Sequence, residues 1–298
     1  MYQYQPVNNP LRVKELTYFC GVPLYYSVNI AAAMGHLGNA LAMVALYTSD
    51  GQKDIEYQLT TSYASWDTAD GTAPQPGDDF TISLQSSNVS TISLHWTIFF
   101  FHLLSFIFQM GALLPAYEYT KKVLAGRNPL RFIEYSLSAS LMLISIALLT
   151  GVRDVVILIL ICVATAACMF CGAACEYLPT GTLRLVTHLV GWVCILAAYM
   201  PILLYFFVAN YQADQDPNKH GAPDFVYIIV IFQFLLFQSF GFVQLLQLYG
   251  KNWTFVGAIG REPEVAYTIL SLTAKSILGW MIYANVIING GDAPANAA

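Results

Sequence analysis

Charge is what this chain has least of. Lys, Arg, Asp and Glu make up 10% of its 298 residues, against roughly 25% in soluble domains. Hydrophobic residues make up 57%, aromatics 14%, and the mean hydropathy is +0.56. A soluble enzyme of this composition could not cover its own surface. The net charge is −5 and no basic run occurs, which excludes a nucleic-acid binder. The six cysteines show no framework spacing, so no disulfide scaffold is indicated. Low polarity excludes disorder. Phosphate loop, zinc motif and Ser-His-Asp order are also missing, so no enzyme and no metal site are expected. What remains is an integral membrane protein in a lipid bilayer.

At about 20 apolar residues per crossing, seven stretches qualify: Phe19–Tyr47, Leu94–Ala116, Leu130–Thr150, Asp154–Cys175, Leu183–Ala209, Phe225–Tyr249 and Val265–Ile288. Breakers separate them: Gly126-Arg127-Asn128-Pro129, Pro179-Thr180-Gly181, and the polar run from Gln212 to Pro223. The expected fold is an all-α seven-helix bundle, one domain over residues 1–298. The first 18 residues are polar and the first span is too long for a signal-peptide core, so no cleaved leader is expected.

The N-terminus and the loops after spans 2, 4 and 6 carry Arg12, Lys14, Lys121, Lys122, Arg127, Arg131, Arg184, Lys251 and Arg261. The other side carries Lys53, Arg153 and Lys219. This asymmetry puts the N-terminus in the cytoplasm and the C-terminus outside. The outer loop, residues 48–93, holds Asp50, Asp54, Glu56, Asp67, Asp70, Asp78 and Asp79. Phe80, Ile82 and Leu84 alternate with polar residues there, which predicts a β-hairpin. Two glycosylation sequons occur, Asn88-Val89-Ser90 on the outer side and Asn252-Trp253-Thr254 on the inner side, where it should be silent.

An ionisable residue inside a span is expensive and is a functional hypothesis by default. The set is Lys275, Glu134, His36, His102 and His188, with Arg131 and Arg184 near helix ends. At about 1.5 Å per residue, Lys275 lies about 16 Å into its span, close to the midplane. It is either a structural or pore-facing cation, or an amine consumed in a Schiff base to a carbonyl ligand. Glu134 is the one acid well inside a span, and its available partners are Lys275 deep down or Arg131 at the headgroup level. Counted from Pro129, Glu134 is shallower than Lys275.

Three segments carry a resemblance. The stretch VAYTILSLTAKSILGWMIYANVI resembles the seventh helix of heliorhodopsins, RFIEYSLSASLM their third, and MGHLGNALAM their first. The resemblance covers about residues 12 to 289. It implies all-trans-retinal on Lys275 as a protonated Schiff base, with Glu134 as counterion and Ser271 as hydrogen-bond partner of the nitrogen. It implies Arg131 on the cytoplasmic side of the site, Ser138 and Met142 facing the polyene, and His36 in a polar cluster with Ser105. It also implies a light sensor with a slow photocycle and no pumping, and a homodimer. Read without it, His36 is a packed, hydrogen-bonded histidine. One departure stands out. Where the family has a second cavity histidine in span 2, this chain has Gln109, and His102 falls elsewhere on the helix. In span 6, Phe237-Gln238-Ser239-Phe240-Gly241 replaces the family's F-N-x-F-A.

A pocket for retinal should be aromatic with one charged end. Trp192, Tyr199 and Phe206 recur every seven residues, and Phe234, Phe237 and Phe240 every three. Trp192, Tyr199, Phe237, Phe240 and Gln238 are the expected lining. Cys168, Cys171 and Cys175 lie among Ala164, Ala167, Gly172 and Ala173, which reads as small-residue packing or a dimer seam rather than a metal site. Three functions fit: a sensor with an unidentified signalling partner, a light-gated proton or ion conductor, and a transporter or scaffold without retinal. A pump needs a second deep carboxylate in span 3, but Ser145 stands there. Gln233, Gln238, Gln244 and Gln247 mark span 6; Gln244 and Gln247 either line a water path or pack at its cytoplasmic end.

Overall fold

The computed structural model describes residues 18–19, 21–49, 55–68, 73, 75, 79–216, 218, 220–249 and 263–287. Arg12, Lys14, Lys53, Lys219, Lys251 and Arg261 lie outside the described residues, as do Asp50, Asp54, Asp70, Asp78 and the sequon at Asn252. Eight α-helices form among those described: α1 Leu24–Ser49, α2 Leu94–Leu113, α3 Ala116–Leu124, α4 Pro129–Leu149, α5 Val155–Tyr177, α6 Thr182–Gln215, α7 Asp224–Tyr249 and α8 Pro263–Ile282. A π-helical turn, Tyr283–Ile287, continues α8. All but α3 are long and apolar enough to cross a membrane, which makes the chain a multi-pass integral membrane protein.

The expected spans hold, with local differences at their ends. Phe19 belongs to a two-residue strand, β1 Tyr18–Phe19, paired with β2 Val22–Pro23 around Gly21 at φ 78°. The first helix therefore starts at Leu24. Span 5 runs six residues past its expected end, to Gln215, because polar residues at its mouth cost nothing outside the apolar layer. Helix α3 is amphipathic, and its weak apolar content hid it from a search for spans.

Caps set the starts. Ser93 accepts from Trp96 N at 3.2 Å, Asn128 from Arg131 N at 3.3 Å with Pro129 next in line, and Asp154 from Val156 N at 2.8 Å. Gly126 and Gly151 end α3 and α4 at φ 69° and 94°, a conformation that side chains with a Cβ resist.

The loop after α1 is the predicted hairpin. Strands β3 Glu56–Thr68 and β4 Phe80–Ser93 pair antiparallel from Glu56↔Ser93 to Thr68↔Phe80, with a bulge between Leu59 and Thr60. The hairpin is fastened to the loop after α4. Thr60 N donates to Arg153 O (3.0 Å), Ser62 N donates to Asp154 Oδ2 (3.1 Å), and the Arg153 guanidinium lies 3.8 Å over the Tyr57 ring. Both loops thus sit at one end of the bundle, as the alternation of seven spans requires.

Helix α4 is the central element. Of its most apolar window 72% is buried, against 22–50% for the other spans. Replacing Asp154 by Ala removes both the α5 cap and the hairpin anchor. We expect a loss of about 1–2 kcal/mol, read as a lower melting temperature in detergent, and faster proteolysis within the hairpin.

Candidate functional site

The two charges singled out in the sequence meet. Lys275 Nζ donates to Glu134 Oε1 at 2.7 Å and to Ser271 Oγ at 2.8 Å. All three residues are buried. The mismatch in depth disappears because side chains on a helix lean toward its N-terminus. The lysine arm runs back one turn to Ser271, which brings Nζ to the level of Glu134. The carboxylate is held from α2 as well. Ser105 Oγ donates to Glu134 Oε1 at 2.5 Å, and Ser138 Oγ donates at 3.0 Å. Ser138 therefore positions the carboxylate and is not part of the cavity wall.

From this pair a cavity extends among α4, α5, α6, α7 and α8. Lys275 and Ser271 form one wall, and Met142, Trp192, Phe237, Gln238 and Phe240 line the cavity with them. Tyr199 does not line it. It is fully buried behind the wall, its ring 5.8 Å from Phe237 and 5.2 Å from Phe234. Phe206 packs on Tyr227 instead. Sequence reasoning missed Phe132, Tyr135 and Ala139, which join Met142 at helical spacings of three, four and three. That periodicity in span 3 was available. It also missed Tyr267, one turn before Ser271, and the glycines. A Cβ at Gly172 would lie 2.5 Å from Phe132, and one at Gly241 2.8 Å from Trp192. Only glycine leaves these rings their places.

Arg131 does not pair with Glu134. Its guanidinium donates to Glu264 Oε2 at 2.5 Å and bonds Glu176, all three side chains being buried. Asn128 donates to both acids, Tyr119 OH to Glu264 (3.1 Å), and Gln247 Nε2 to Glu176 (3.1 Å). Tyr267 lies under the guanidinium at 3.8 Å. These two acids were overlooked because each sits at a helix end, where a carboxylate normally meets water. Gln244 and Gln247 pack rather than line a water path. Gln244 bonds Gly172 O (2.7 Å) and His188 (3.3 Å), and Gln247 bonds Gly126 O (3.1 Å). The cysteines of α5 also pack as small residues: a Cβ at Gly191 of α6 would lie 3.3 Å from Cys171 Cβ.

The heliorhodopsin family model matches residues 26–287. The chain belongs to the heliorhodopsin family. Among solved structures it is similar to the cyanorhodopsin of the cyanobacterium Tolypothrix sp. NIES-4075, with a TM-score of 0.60 and 11% identity, over 91% of this chain and 98% of that one. That likeness is one of fold. The red light-activated channelrhodopsin Chrimson follows with a TM-score of 0.48 and 14% identity, over 96% and 88% of the two chains. No curated protein sequence matches the chain.

Heliorhodopsin membership implies a retinal chromophore, and the residues present fit one. The cavity is largely apolar, it is walled by aromatic rings, and it has a single amine beside a carboxylate. The departure from the family pattern at Gln109 also finds a structural answer. His102 faces His36 across α1 and α2, their Nδ1 atoms 3.0 Å apart, one turn from Ser105. The second histidine of the cluster thus comes from one turn before Ser105 rather than one turn after. Gln109 instead lines a smaller cavity that Glu134, Arg131 and Glu264 also line.

Arg131→Gln leaves two carboxylates buried and facing each other. We expect a loss of about 3–5 kcal/mol, measured by thermal unfolding in micelles. Adding Glu264→Gln to that variant should recover part of the loss.

Proposed function

We propose that the protein is a light sensor that holds all-trans-retinal on Lys275 Nζ as a protonated Schiff base. The observation that carries this reading is the 2.7 Å pair between Lys275 and Glu134 at the end of an aromatic cavity. When bound, retinal supplies visible absorption and a light-driven change of shape. The chain's residues do the rest. Glu134 keeps a positive charge on Nζ in a site without bulk water, where an unpaired cation would be strongly disfavoured. Ser105 and Ser138 fix the carboxylate, and Ser271 fixes the nitrogen. Any displacement of Nζ changes the dipole between these groups, and the packed bundle has to re-equilibrate around it.

The absence of pumping is supported by span 3. Ser145 stands at the depth of a proton donor, and its hydroxyl is donated to Leu141 O at 3.0 Å. The half of the bundle beyond Lys275 is closed by Ile98, Phe101, Leu143, Ile146, Leu278 and Ile282, all fully buried. This wall favours sensing over conduction. A slow photocycle, a homodimer, a cytoplasmic N-terminus, an extracellular C-terminus and an unidentified signalling partner belong to the same proposal. They are supported by the family and by the distribution of Lys and Arg.

The protein purified with all-trans-retinal should show a visible band, and Lys275→Ala none. Glu134→Gln should retain covalent attachment, but its band should move or bleach at neutral pH. A folded native protein that stays colourless overturns the reading and returns Lys275 to a structural role. In a retinal-fed cell held at fixed voltage, illumination should give no steady current; a sustained current would assign conduction instead.

A further inference from the structure

The polar atom of retinal is its aldehyde oxygen. Attachment to the Lys275 amine replaces C=O by C=N and releases that oxygen as water. The rest of the molecule is hydrocarbon, and hydrocarbon leaves two polar side chains of the wall, Gln238 and Tyr267, with unpaired atoms. Gln238 lines the cavity, is 8% exposed, and has no hydrogen-bond partner on either Nε2 or Oε1. Buried amides left wholly unpaired are rare. Three polar groups of the lining are already paired: Trp192 Nε1 donates to His188 Nε2 (3.0 Å), and His188 and Gln244 bond each other. The Tyr267 hydroxyl, also unpaired, belongs to α8, the helix that carries Lys275.

Helical spacing shows which wall Gln238 belongs to. Phe240 marks the α8 side of α7, stacked on Tyr267 at 6.3 Å. Gly241 marks the α6 side, against Trp192. At 3.6 residues per turn, Gln238 lies about 60° from Gly241 and about 160° from Phe240. It therefore faces α6, across the cavity from Lys275. A retinoid tethered through its aldehyde carbon presents its ring, rather than the start of its polyene, to that wall.

We propose that the cavity selects a ring-hydroxylated retinal, with Gln238 as the selecting residue; this rests on the retinal reading above. A hydroxyl donates to Oε1 and accepts from Nε2, so one oxygen satisfies both orphaned atoms. A ring keto oxygen accepts from Nε2 alone, and an unsubstituted ring does neither. The expected order of preference is hydroxy, keto, unsubstituted.

The test uses full-length protein expressed without retinoid. It is incubated with an equimolar mixture of all-trans-retinal, its 3-hydroxy form and its 4-keto form, and the bound retinoids are extracted and quantified. The hydroxylated form should be enriched about tenfold over retinal, the factor that about 1.4 kcal/mol corresponds to. In Gln238→Leu the ratio of hydroxylated form to retinal among the bound retinoids should fall to about one. Equal uptake by the native protein, or an enrichment that survives Gln238→Leu, overturns the proposal and leaves the retinal reading intact. A folded native protein that forms pigment with none of the three overturns both.

Discussion

Everything in this bundle is arranged around the difficulty of keeping a lysine ammonium in the middle of a membrane. A lone charge there is strongly disfavoured, and a pair is tolerated only with good geometry and with its remaining hydrogen bonds satisfied. Glu134 supplies the charge, and Ser105, Ser138 and Ser271 supply the hydrogen bonds. These groups come from three helices, α2, α4 and α8. The pair therefore fixes how those helices meet, and α4 has to be central because it carries the carboxylate. The other serines of α4 are compatible with its being the most buried span. Ser136, Ser140 and Ser145 return their hydroxyls to carbonyls of their own turn or the one before, so they cost little inside.

The second buried charge cluster follows a different rule. One guanidinium stands between two carboxylates, Glu176 and Glu264, and the surplus negative charge is spread over donors from Asn128, Tyr119 and Gln247. Arginine suits this position better than lysine, since its planar fork serves two acids at once and stacks on Tyr267. The cluster ties the ends of α4, α5 and α8 together. It also leaves Glu134 free for Lys275, because the two terminal nitrogens of the arginine three residues away are taken by Glu264 and Glu176.

How much of this could be read from the sequence depended on the kind of signal. Seven spans were legible because a crossing needs length and apolarity, which composition alone reports. The hairpin was legible from the alternation at Phe80, Ile82 and Leu84. Lys275 and Glu134 were legible because buried charge is rare enough to stand out in any one span. What could not be read was partnership between distant segments. Arg131 has an acid three residues away in sequence and uses two others, 45 and 133 residues on. His102 falls off the family's histidine position in span 2, yet it is the residue whose imidazole meets that of His36. Tyr199 kept the right spacing and still missed the cavity, since a stripe every seven residues marks a face without saying which neighbour it touches.

The distribution of polar groups about Lys275 gives the site a direction. Toward α3 and the start of α4 lie the smaller cavity, Gln109, Arg131 and its two acids. Toward the hairpin lie fully buried aliphatic and aromatic side chains packed as a single core. Close-packed interiors of that kind resist small displacements, whereas a network of charges can exchange partners when a nearby dipole turns. Coulomb energies fall off slowly in a medium of low dielectric constant, and Arg131 sits one helical turn from Glu134. A change of charge or position at Lys275 Nζ acts first on Glu134 and Ser271, and through the carboxylate on Ser105 and Ser138. The same two charges that make the site possible thus stand between a close-packed half and a half rich in hydrogen-bonded charges.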